Sequence, residues 1–318
     1  MRLPTRSILA SMTLNAPLIS GFACRQFFNS FTRQHNKFST SMFSSISKNS
    51  CISNIFGGDY GGQKATFSSV DGKLIPVPEH MVPESMVEWG QIPSCFEVIV
   101  SEDITNDNED ESQSILQRST VTVMPEVGCG LDNLDTMKKI EKIPFNEYET
   151  FQLNDMNIAT AFIKEEGKRC VECIFVKEEE GVKNGEEALT TIRMRVSVNL
   201  FDNNQIKSPI HVTREEKTSD TSSSGTIADG GGLDARTVSK LIGRENANKP
   251  FCEEELSETI ESDADFTTLK LPCGLQVRYS SGPSSSLLEV GLKGTGSDSS
   301  YVVVKHDLES SQATCDQE

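Results

Sequence analysis

The sequence predicts an all-β fold: a single antiparallel up-and-down barrel of eight to ten strands with one long insertion, preceded by a disordered targeting leader. Three observations predict it. Nine segments rich in Val, Ile, Thr and Phe are bounded by Gly, Asn, Asp or Ser, the composition of short strands and turns. One of them, 190–200, alternates without a break. Ile192, Met194, Val196, Val198 and Leu200 share one face, and Thr191, Arg193, Arg195, Ser197 and Asn199 the other. Helical periodicity is scarce. A closed barrel suits such a chain because it leaves no open sheet edge; a β-sandwich is the alternative.

Residues 1–56 carry the leader. No acidic residue precedes Asp59, whereas Arg2, Arg6, Arg25, Arg33, Lys37 and Lys48 do, among many Ser, Thr and Phe. That is the composition of an organelle-targeting presequence. The uncharged stretch 8–23, ending Gly21-Phe22-Ala23, has the pattern of a secretory signal peptide, and the basic, hydroxyl-rich 24–56 follows it as a transit peptide does. Stacked in that order they imply a plastid. A single presequence, for which 33–41 has the right composition, implies a mitochondrion, and both destinations stay open. With the six leader bases set aside from 30, 24 basic residues remain against 47 acidic ones. That excess excludes phosphate-backbone binding, hence nucleic acid, as a main role, because it needs clustered Lys and Arg. The apolar stretch at 8–23 is too short to span a bilayer and no later one qualifies, so no membrane insertion is expected.

Residues 57–94 are a Gly- and Pro-punctuated lead-in with a short helical turn over 83–90, Pro83 near its start and Gly90 at its stop. Trp89 is expected to plug the end of the core. The barrel is expected over 95–307, with strands at 95–101, 119–124, 157–163, 170–177, 190–200, 205–215, 269–279, 286–292 and 301–306. Asp202-Asn203-Asn204 turns the chain after 200. Pro209 cannot donate to a ladder and belongs at a bulge or an unpaired edge. Residues 217–267 form a flexible acidic insertion: a Ser/Gly run at 219–232, a partly amphipathic stretch at 233–244 and seven acidic residues within 253–265. Residues 308–318 are read as a tail.

Catalytic signatures are scarce. There is no GxSxG, P-loop or HExxH, and Gly294-Thr295-Gly296 lacks the third glycine of a dinucleotide loop. No catalytic residue and no cofactor is singled out. Cys170 and Cys173 lie three apart in a strand and so on opposite faces, which suits ordinary strand cysteines and not zinc. His80, His211 and His306 read as surface or capping groups. The run 102–114 has Asn108 and Ser114 where a calcium loop needs Gly and Glu, and reads as a solvated acidic hairpin loop. The segment 125–135 (PEVGCGLDNLD) is either a wide turn or a mouth loop of the barrel. The ligand-binding candidates are Arg193 and Arg195, side by side on one polar face, with Arg214 and Arg278 on other strands. Facing inward, such guanidiniums would pair with ligand carboxylates; facing outward, they would be ordinary surface charges.

Leu271-Pro272-Cys273-Gly274-Leu275-Gln276-Val277, then Leu288-Glu289-Val290-Gly291-Leu292, then Val302-Val303-Val304-Lys305-His306-Asp307 resemble the closing strands of lipocalin-like barrels related to phycobiliprotein chromophore lyases. The segments 193–200 and 211–215 are similar in kind to the preceding pair. The resemblance implies a soluble lipocalin-like cup in a plastid, holding a tetrapyrrole or another small apolar ligand. If the chain is an enzyme, it implies a chromophore lyase-like activity. In charge and leader the chain is also similar to the mitochondrial acidic matrix protein family, which implies a non-catalytic protein acting through protein–protein contacts. A filled interior favours that second class; a cavity of roughly 300 Å³ or more favours the first.

Overall fold

Alternation over 190–200 is satisfied in an unexpected way: the apolar face is buried, and so are Arg193 and Arg195 on the polar one. The computed structural model describes residues 55–106, 114–124, 136–153, 155–165, 168–183, 186–218, 250–253, 260–262, 265–280, 287–294 and 300–317. Its first sheet contains β1 (Gly58–Phe67), β2 (Leu74–Ile75), β3 (Cys95–Asn106), β4 (Ser114–Val123), β5 (Thr136–Pro144), β6 (Tyr148–Leu153), β7 (Met156–Glu165), β8 (Lys168–Lys183), β9 (Glu186–Leu200) and β10 (Ile206–Lys217). A second sheet contains β11 (Ile260–Ser262), β12 (Phe266–Leu271), β13 (Leu275–Ser280), β14 (Leu287–Lys293), β15 (Tyr301–Asp307) and β16 (Gln312–Gln317) in that order. The ladders of both are antiparallel.

The first sheet runs β5-β4-β3-β1-β10-β9-β8-β7-β6, with β2 hung on β1. Its two edge strands are separated in sequence only by the 3-10 turn Phe145–Glu147. So short a link forces the sheet to curl until its edges approach each other, and the result is a half-barrel. Two local features help it bend. Pro209 sits at a register shift between Ile206 and Ile210, the bulge expected of a proline inside a ladder. A Cβ on Gly62 would stand 2.0 Å from the Arg214 carbonyl oxygen, so only glycine permits β1 and β10 to approach so closely.

The convex face of the curl carries Ala65, Phe67, Ile158, Val171, Phe175, Met194, Val196, Val198 and Val212. These share one apolar layer with Leu269, Leu271, Val277, Val290, Leu292 and Val304 of the second sheet. The single barrel over 95–307 is thereby corrected: β11 to β16 stack on the half-barrel and do not extend it. Further differences follow. β1, placed in the lead-in by sequence, is a central strand, and residues 312–317 of the tail are β16. The segment 269–279 is two strands, because Pro272–Gly274 turns the chain with Cys273 at φ 60° and Gly274 at φ 70°. Within 217–267, β11 and the 3-10 turn Phe251–Glu253 are ordered elements, while 233–244 lies outside the described residues.

The helical turn forms as α1 (Glu84–Glu88), stopped by Gly90 at φ 68°. Trp89, however, is 64% exposed and plugs nothing. The end of the curl is closed instead by Ile55 and Phe56, both buried. The Phe56 ring packs edge-on against Phe145 and Tyr148 at centroid distances of 5.3 and 4.8 Å. Two residues assigned to the leader thus belong to the core; residues 1–54 lie outside the described residues. No described helix is long and apolar enough to cross a membrane.

Candidate functional site

The strands place charged residues at inward positions of the curl. On β9 these are Arg193 and Arg195; on β10, Glu215; on β8, Glu172; on β3, Glu102; on β4, Arg118. Registers Glu102↔Arg118 and Arg193↔Glu215 set them side by side on neighbouring strands. They close a ring of alternating sign. Arg118 Nε donates to Glu102 Oε1 at 2.6 Å, and Arg193 Nη1 donates to Glu102 Oε2 at 2.6 Å. Arg193 Nε then donates to Glu215 Oε2, whose other oxygen accepts from Arg195 Nη2 at 2.6 Å. Arg195 Nη1 stands 3.8 Å from Glu172 Oε2, and Glu172 accepts two bonds from Arg118 Nη1, at 3.0 and 2.9 Å. All six residues are buried.

Two tyrosines complete the ring. Tyr148 Oη donates to Glu172 Oε1 at 2.6 Å. The Arg193 guanidinium lies 3.7 Å from the centroid of the Tyr60 ring, which compensates the Arg193 Nη2, without a hydrogen-bond partner among the described residues. Burial by itself would push the Glu102 carboxyl up, but the Arg193 and Arg118 guanidiniums outweigh it and hold the group down at about 2. Glu172 is lowered in the same way against burial, by Arg118 and then Arg195. Such a ring is stable only as a whole. Desolvation costs several kcal/mol per ion, and the remaining partners must offset it.

The ring divides the interior. On one side lies an apolar plug of Ile55, Phe56, Leu116, Tyr148, Ala159 and Ile174. On the other lies a cavity of about 460 Å³, lined by Lys64, Val98, Thr120, Thr122, Met137, Lys138, Lys139, Glu141, Ile143, Ile163, Cys170, Glu172, Arg195, Ser197, Asn199, His211 and Thr213. Lys139 Nζ donates to Glu141 at 2.6 Å, and His211 Nδ1 is 3.3 Å from Thr66 Oγ1. Burial, and then Lys64 and Lys139, lower the His211 imidazole to about 4, so it is neutral at pH 7. Arg195 is the link between ring and cavity. Its Nη2 is committed to Glu215, whereas its Nη1 stands 3.8 Å from Glu172, beyond hydrogen-bond reach.

The four candidate arginines are thus separated. Arg193 and Arg195 share the concave face, but Arg193 is 0% exposed and lies within the ring, away from the cavity lining. Arg214 points to the convex side, 3.7 Å from Glu179. Arg278 is on the second sheet, bonded to Glu289 at 3.1 Å and stacked on Phe266. Sequence reading missed Glu102, Arg118, Glu172 and Glu215. Glu102, taken for the start of a solvated loop, is 1% exposed. A signal was present: Glu172 interrupts the otherwise apolar 170–176, and Glu102 falls in phase with Val98 and Val100. A charge on a buried phase demands a partner. The segments 107–113 and 125–135 lie outside the described residues.

A second polar cluster lies in the apolar layer. His306 Nε2 is 2.7 Å from Thr160 Oγ1 and 3.5 Å from Cys173 Sγ. Burial pushes the Cys173 thiol up to about 12 and the His306 imidazole down to about 4, so both are neutral and the cluster is a structural bond between sheets. Cys170 faces the cavity and Cys173 the apolar layer, opposite faces as their spacing requires. Among the described residues, no group of His, Cys, Asp and Glu is arranged to hold a metal ion. No family model, curated protein or solved structure matches this chain.

Proposed function

We propose that this chain is an organellar, lipocalin-like binding protein whose half-barrel mouth holds a small carboxylate-bearing ligand. The observation that carries the reading is a contrast of charge. Around the cavity Lys64, Lys138, Lys139 and Arg195 outnumber Glu141 and Glu172 by two, in a protein of formal charge −17. An acidic surface repels anions in general, and a positive pocket set in it focuses the field on those that fit. The volume of about 460 Å³ exceeds the threshold set above and favours a ligand over a filled interior. Val98, Met137, Ile143 and Ile163 offer contact to an apolar body, while the bases face the acid groups. A tetrapyrrole carrying carboxylates fits that lining better than a purely apolar molecule. Arg195 takes the role of floor contact, and Arg193 holds Glu215 and Glu102 in place without touching ligand.

Titration of the full chain with bilins, haem, fatty acids and citrate, followed by absorbance, fluorescence or calorimetry, tests the reading. Saturable binding of the carboxylates is expected. It should weaken about tenfold or more in Lys64→Gln and in Lys139→Gln, the loss of one charge-assisted contact. No saturable binding, or equal binding by wild type and both variants, overturns it. Action through protein contacts would then be the better account.

A further inference from the structure

We propose that His211 is a ligand contact of the half-barrel cavity and takes up a proton when a carboxylate enters. Such a role rests on the binding function of that cavity and adds its pH dependence and its preference for acids. β10 puts His211 on the concave face, where the ring lines the cavity. Thr66 of β1 is its register partner on one side and Ser197 of β9 on the other. Nδ1 stands 3.3 Å from Thr66 Oγ1. Nε2 has no hydrogen-bond partner among the described residues, yet it is not one of the sealed polar atoms, so it opens on the cavity.

Charge reaches this ring from several walls. β1 brings Lys64, two residues before Thr66 and hence on the same face. β5 brings Lys138, Lys139 and Glu141, and β9 brings Arg195. β8 brings Glu172 and the Cys170 thiol, whereas β3 and β4 contribute only Val98, Thr120 and Thr122. Both carboxylates are engaged elsewhere: Glu141 accepts from Lys139 at 2.6 Å, and Glu172 accepts from Arg118 and Tyr148. The imidazole therefore sits among cations without an anion of its own. Burial, and then Lys64 and Lys139, hold it down at about 4. A bound carboxylate reverses the last two causes, and a charge-assisted bond to Nε2 offsets the first. The imidazole should thereby return to its ordinary range, about 6.5. The complex then holds a proton that the free protein lacks, so affinity rises as pH falls from about 6.5 towards 4. A neutral ligand of the same shape gains nothing from this exchange.

Histidine-selective nuclear magnetic resonance of the full chain, with and without saturating citrate, tests this. His211→Gln identifies the signal among the four histidines. The His211 imidazole should titrate near 4 alone and near 6.5 with citrate. In parallel, calorimetry gives the citrate affinities of wild type and His211→Gln. Their ratio, in which the ionisation of citrate itself cancels, should grow about tenfold from pH 8 to pH 5.5. Citrate binding that leaves the His211 titration unmoved, or a ratio constant over that range, overturns the proposal and leaves the binding cavity standing. No citrate binding by wild type removes both.

Discussion

β9 is buried twice, and by opposite chemistry. Outward from the curl, Met194, Val196 and Val198 join a dry apolar layer shared by both sheets. Inward, Arg193 and Arg195 join a ring of charges with the same near-total burial. The apolar layer is additive: each methylene contributes its own area, and neighbours partly relax around a loss. The ring is collective. Each carboxylate holds two guanidiniums, so removing one member leaves two others with a single partner each in a medium that does not solvate them. The half-barrel therefore owes its cohesion to one layer and its interior shape to the other.

The largest expected effect comes from breaking the ring. Arg193→Ala leaves Glu102 and Glu215 without a shared cation and should cost about 3–5 kcal/mol in chemical denaturation. A loss below about 1 kcal/mol would mean that the ring is not formed as described. In the apolar layer, Leu292→Ala should cost about 3 kcal/mol, and the two losses should add, because the sites share no partner. A strongly non-additive double variant would show that the layers are coupled through β9.

Acid separates the same two regions. His211 and His306 are held neutral with values near 4 against 6.5 for the free group, so the unfolded chain binds their protons first. Stability falls as pH drops from about 6.5 to about 4 on their account. Glu102 is lowered from 4.5 to about 2, so its contribution, roughly 3 kcal/mol, is present above pH 4.5 and lost as pH falls towards 2. Denaturation should accordingly show two stages. His306→Gln should flatten the upper one and Glu102→Gln the lower one; a profile unchanged in Glu102→Gln contradicts the ring. The smallest effect belongs to neither region: Trp89→Ala, at 64% exposure, should shift stability by less than about 0.5 kcal/mol.

The strand class was legible where period-2 alternation was long, as on β9, and where a proline sat mid-run, as at Pro209. It was illegible on β1, whose Gly57-Gly58 and Gly61-Gly62 read as loop although Gly62 is needed for a close strand crossing. β5 and β6 were hidden by the intervening Pro144 and the three-residue turn. The half-barrel with a second sheet, in place of one barrel, depends on which apolar face meets which, and strand periodicity is the same in both arrangements. For the site, phase marked Arg193 and Arg195 as a pair, but their carboxylate partners lie 20 to 91 residues away. Local pattern carries no record of such distances, so an arginine enclosed in the ring and one that also lines the cavity look alike in sequence.

The most direct test of the cationic mouth is the melting temperature of the full chain in citrate against chloride at equal ionic strength. It is measured for wild type and for the Lys64→Gln/Lys139→Gln double variant. A ligand at a hundredfold its dissociation constant adds about 2.7 kcal/mol to the folded state. Wild type should therefore gain about 5 °C or more over the double variant. An equal rise in both, or none in either, contradicts the account.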